Sequence, residues 1–104
     1  MSEKMISIAN DFSKFPAGRY YSDGPFPGQK FREEILIPAL TANDKVFVNI
    51  DGTRGFGSSF LEEAFGGLVR VHKLSEKVLR DKLEITGSLE TYKMRIWQYI
   101  KEAA

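Results

Sequence analysis

The densest group of residues able to do chemistry lies between Asp51 and Glu63, in the run DGTRGFGSSFLEE. Two adjacent hydroxyls, Ser58 and Ser59, follow three glycines, Gly52, Gly55 and Gly57, and one arginine, Arg54. A serine becomes a nucleophile only beside a base that takes its proton. The only histidine is His72. On one continuous helix it would stand ~20 Å from Ser59, too far for proton transfer. Gly57-Ser58-Ser59 looks superficially like a nucleophile elbow, but Leu61 stands where the closing glycine belongs. His72 is then expected to ease a helix dipole. Glu62 and Glu63 are adjacent, so on a helix they point in different directions and form no acid/base pair. Capping and solvation are their expected roles. These residues do not make an enzyme.

Binding is the better reading of the same run. Glycines before a helix suit an anion, because the first amides of a helix have no partner within it. GTRGFG lacks the GxGxxG order, and no Gly-Lys-Ser/Thr follows, so neither nucleotide fingerprint is met. Asp51, Gly52, Arg54, Gly55, Gly57, Ser58 and Ser59 are the candidate surface for a partner or an anion. A small-ligand or nucleotide site on the same glycine loop is the alternative.

The elements that must hold this loop can be read around it. Val46, Phe47, Val48 and Ile50 form a short apolar, β-rich run, a buried strand ending at the turn pair Asp51-Gly52. Ser59 and Glu62 have capping-box spacing. Leu61, Ala64, Phe65, Leu68 and Val69 then recur on one helical face. Gly66-Gly67 inside that helix costs roughly 1 kcal/mol each against alanine, which close packing on a neighbour would explain. Met5–Ile8 reads as an edge strand, and Arg19-Tyr20-Tyr21 as a second strand pairing back onto it. SDGPFPG is a stiff loop. A helix from about Gly28 carries Phe31, Ile35 and Ala39 inward, with Arg32, Glu33 and Glu34 towards water. Pro38 should end or kink it near Ile37. Ser75 caps a further short helix, LEIT is a last strand, and Leu89, Tyr92, Ile96, Tyr99 and Ile100 line a terminal helix. Strands separated by helices predict a single α/β domain over residues 1–104, a small mixed sheet flanked by helices. In such sheets sites form beyond the carboxyl ends of the strands, where Asp51–Ser59 lies.

Composition narrows the partners. The chain has 104 residues, 15 basic against 14 acidic, and a net charge of +1, so no global field draws it to nucleic acid or anionic lipid. The aromatics of the terminal helix are expected to be core rather than a nucleic-acid surface. There is no cysteine, which removes disulfides and thiolate metal sites and suits a reducing cytoplasm. No metal and no cofactor is expected. No apolar run approaches the ~20 residues of a membrane span, and MSEKMISIAN lacks the apolar stretch of a secretory signal. Homo-oligomerisation stays open.

The stretch Arg19–Arg70, with DGPFPGQKFREEILIPAL and then VNIDGTRGFGSSFLEEAFGGLVR, resembles the bacterial and phage-borne STAS-like domain family of unknown function. That family is similar to the STAS domains of anti-sigma-factor antagonists, which have a strand, a loop bearing Asp-Ser-Ser-Gly, then a helix. The resemblance implies a STAS-like fold and a non-catalytic regulatory module. Its partner would be a histidine-kinase-like ATPase, which phosphorylates the first serine and so breaks a protein–protein complex. The match falls on Gly57-Ser58-Ser59-Phe60, which places Ser58 at the phospho-acceptor position. Gly57 stands for the family aspartate and Phe60 for the family glycine.

Overall fold

A computed structural model describes residues 2–104. Three strands, β1 (Glu3–Ser7), β2 (Lys45–Asn49) and β3 (Leu83–Thr86), form one sheet in the order β1-β2-β3. Both pairings are parallel, so the sheet is wholly parallel rather than mixed. The connections impose this: each crossover passes through helix, which returns the chain to the end of the sheet where it began. Helix α1 covers residues 28–42, α2 covers 58–70, α3 is Glu76–Lys82 and α4 is Glu90–Glu102. The α/β class read from the sequence is the architecture found.

Alternation along the strands decides which face is core. Ile6, Val48 and Ile85 stand in one register row, and Val46 and Leu83 in the row below; all are buried. The opposite face carries Met5, 71 % exposed, beside half-buried Phe47 and exposed Glu84. The helices therefore gather on one side of the sheet, where Phe31, Leu36, Phe60, Leu61, Phe65, Leu68, Ile96 and Ile100 complete the core.

Four local readings are corrected. The first strand ends at Ser7; Ile8–Phe12 is a wide helical turn, with the Ser7 hydroxyl accepting from the Asn10 amide. Arg19-Tyr20-Tyr21 forms no strand. Instead the Asp23 carboxylate accepts from the Arg19 and Tyr20 amides and winds Tyr21–Asp23 into a tight turn. Those two bonds hold the Asp23 carboxyl below its usual range. Pro38 does not end α1. The turn before it, Arg32–Leu36, is widened, with the Ile37 amide reaching the Arg32 carbonyl, and the helix runs on to Ala42. Fourth, Arg32 does not face water. It is 1 % exposed, while Glu33 and Glu34 are outside as expected.

Candidate functional site

The loop after β2 leaves the sheet at its carboxyl edge, beside the exit from β3. Asp51 ties the two exits together: its carboxylate accepts from the Ser88 amide at 3.0 and 3.2 Å and from the Ser88 hydroxyl at 3.1 Å. Asp51 therefore braces the base of the loop. Gly52 has φ +95° and sits where an added Cβ would meet Ala9 Cβ at 3.1 Å. Gly55, φ +122°, lies against the Tyr92 hydroxyl, which also accepts from the Phe56 amide at 3.4 Å. These glycines serve backbone geometry. Arg54 is exposed; its amide donates to the Lys14 carbonyl and its guanidinium lies 5.5 Å from the Phe15 ring centre.

The tip of α2 differs from the expected cap. Gly57, not Ser58 or Ser59, is the N-cap residue, and no side chain caps the first amides. Ser58 and Ser59 occupy the first two helical positions, both exposed. Two contacts explain the shift. Buried Phe56 and Phe60 stack at 5.8 Å between ring centres, one on each side of the tip, and this sets where the helix starts. The Ser59–Glu62 capping box fails because Glu62 is held elsewhere, by Arg19 at 2.5 Å and Arg70 at 2.6 Å.

Glu62 belongs to a charge network that runs from its partly exposed carboxylate into the contact between α1 and α2, which the sequence reading missed. Glu63 is 4 % exposed, not solvated, and receives Arg32 at 2.7 Å, with Arg19 and Arg70 each at 3.3 Å. Arg32 also donates to the Glu63 carbonyl oxygen, to Glu33 at 3.4 Å and, from Nε, to His72 Nε2 at 3.3 Å. Gly67 leaves the space for this guanidinium: a Cβ there would overlap it. Gly66 in turn admits the Glu62 carboxylate. The signal was present in the sequence. Arg32 lies on the stripe of Leu36, Ala39 and Leu40, and a charge on an apolar stripe announces a buried partner. Burial raises the Glu62 pKa, but the hydrogen bonds from Arg70 and Arg19 outweigh it and the net shift is downward.

His72 closes the network. α2 ends in a left-handed αL turn, with Lys73 at φ 62°, the Lys73 amide on the Val69 carbonyl and the Leu74 amide on the Leu68 carbonyl. His72 is thus fixed against Arg32. Burial, then the Arg32 charge, holds its pKa below the ordinary 6.5, against a smaller opposing pull from Glu33. It is a neutral acceptor, not a cation easing the dipole. The unfolded chain takes up this proton first, so stability falls as pH drops below about 6.5 and levels off below the folded value. Urea melts across the mildly acidic range should show that limb in the wild type and lose it in His72→Gln. A lower limb should remain in both, where Glu62 is protonated through its depressed pKa and releases its arginines.

The order strand, braced loop, exposed Ser-Ser helix tip, with further strand and helix behind it, is therefore on a parallel sheet. A family model, the STAS-like domain of unknown function (DUF4325), matches residues 27–93. The chain belongs to this family. The matched segment of the STAS-like domain contains the tip, Asp51, Arg32, Glu63, Gly67 and His72, while Arg19 lies before it. The family description names no reaction. No curated protein and no solved structure matches the chain. No helix among the described residues is long and apolar enough to cross a membrane, and no group of three or more metal-binding side chains is found among them.

Proposed function

We propose that this STAS-like domain is a non-catalytic regulatory module that docks a protein partner through the Asp51–Leu61 loop and the tip of α2. The observation that carries this reading is the exposed Gly57-Ser58-Ser59 tip, with uncapped amides, clamped between buried Phe56 and Phe60 and braced by Asp51. A rigidly presented loop suits recognition. In this proposal the partner is a histidine-kinase-like ATPase and Ser58 is its phospho-acceptor. A phosphate there adds about −1.5 to −2 charges beside free amides and the positive end of the helix. Phe60, which departs from the STAS pattern, is wholly buried and leaves the tip open.

The test uses Ser58→Asp and Ser58→Ala. The Ser58 hydroxyl caps nothing, so both variants should stay within about 0.5 kcal/mol of wild type in chemical denaturation. Ser58→Asp should weaken binding to the ATPase about tenfold by calorimetry, a change of roughly 1.4 kcal/mol. Ser58→Ala should bind normally and accept no label from radioactive ATP. Labelling of Ser58→Ala, or equal binding by Ser58→Asp and wild type, would sink the switch.

A further inference from the structure

Away from the α2 tip, a cavity of about 350 Å³ opens between the C-terminal half of α1 and α3. Its walls are apolar: Ile37, Leu74 and Leu79 line it, and Val78 stands at its rim, 41 % exposed. The volume falls within the range of small-molecule sites, which pair apolar walls with a few placed polar groups. Three such groups line this cavity, Thr41, His72 and Lys82, of which Lys82 alone is a cation, and no acidic side chain does.

The chemistry of His72 follows from its neighbour. A guanidinium only donates, so His72 Nε2 must accept from Arg32 Nε. Nε2 then carries no proton, and the proton of the neutral ring sits on Nδ1. Nδ1 has no hydrogen-bond partner among the described residues, and no buried side-chain nitrogen or oxygen there lacks one. Nδ1–H therefore reaches open space, as a donor whose polarity is locked by a buried arginine. Lys82 Nζ donates one bond to the Leu40 carbonyl, at 2.7 Å, which anchors it at the end of α1 and leaves two N–H groups. A cation and a fixed donor on apolar walls select a negatively charged head on an aliphatic body.

We propose that this cavity binds a small aliphatic carboxylate, its head held by Lys82 Nζ and His72 Nδ1–H and its tail against Ile37, Leu74 and Leu79. The site is separate from the docking loop and does not depend on the Ser58 reading. Arg32 acts here as a positioning residue. It touches no ligand, and it fixes which ring nitrogen of His72 faces the cavity.

Sodium hexanoate is the probe, titrated into isotope-labelled protein and followed by NMR, with hexanamide as the uncharged control. Saturable shifts should gather in residues 37–41 and 72–82 and at the His72 ring Nδ1. Hexanamide should bind at least tenfold more weakly. Lys82→Met removes the cation, and Val78→Glu places a carboxylate at the rim one helical turn before Lys82, where it repels the ligand head and competes with it for the ammonium. Each should weaken hexanoate at least tenfold. Should Lys82→Met fail to fold by circular dichroism, Val78→Glu decides. Non-saturating shifts, equal binding of hexanoate and hexanamide, or wild-type affinity in Val78→Glu would each overturn the proposal.

Discussion

Glu63→Ala should lower stability by about 3–5 kcal/mol, the cost of leaving a buried charge without its partner. Glu63 is the acid on which Arg19, Arg32 and Arg70 converge, and two of those arginines can turn outwards. Arg32 cannot. It is enclosed between α1 and α2, and without Glu63 its remaining partners are a carbonyl, a neutral imidazole and the exposed Glu33. At about 4–8 °C per kcal/mol for a domain of this size, the melting temperature should fall by more than ten degrees. The double variant Arg32→Met, Glu63→Leu removes both charges and should recover most of the loss, since apolar groups of similar volume often replace a buried pair at little cost. Urea denaturation of the two singles and the double closes the cycle. A double variant no more stable than Glu63→Ala would mean that the network acts through packing rather than charge.

Gly28→Ala should be the most damaging single-methyl change in the chain. A Cβ at Gly28 would lie 2.5 Å from the Phe60 carbonyl oxygen and 2.9 Å from the Ala64 amide nitrogen, both backbone atoms of α2. Backbone cannot turn aside as a side chain can. The first turn of α1 must back away from α2, and the Arg32–Glu63 pair one turn further along is strained with it. Overpacking of this kind costs about 1–3 kcal/mol, and the rigid neighbour sets this case at the upper end. Gly57→Ser is the internal control. Nothing lies within 4 Å of the added atom, φ is −77°, and serine is at least as good an N-cap as glycine. Thermal denaturation should show Gly28→Ala well below wild type and Gly57→Ser at or slightly above it. A Gly28→Ala protein that melts with the wild type would show that α1 and α2 do not touch there.

Local pattern was enough for much of this molecule. The run Val46–Ile50 announces the central strand because β-branched residues favour extended chain, and its alternation survives in the buried Val46, Val48 and Ile50. The helical stripes from Leu61 to Val69 and from Tyr92 to Ile100 are likewise periodic, and the loop between β2 and α2 follows from its glycines. The candidate surface Asp51–Ser59 was visible for the same reason. What the residues within it do was not. Whether Asp51 points out or braces Ser88 depends on a partner 37 positions away, which no local spacing encodes. The α2 cap moved to Gly57 because two phenylalanines and two distant arginines compete with the Ser59–Glu62 pair. The inward turn of Arg32, the space at Gly67 and the tautomer of His72 exist only where α1 meets the end of α2. Periodicity is a property of one segment and can be read along the chain. Charge pairing and close approach belong to two segments at once, and tertiary contact decided them.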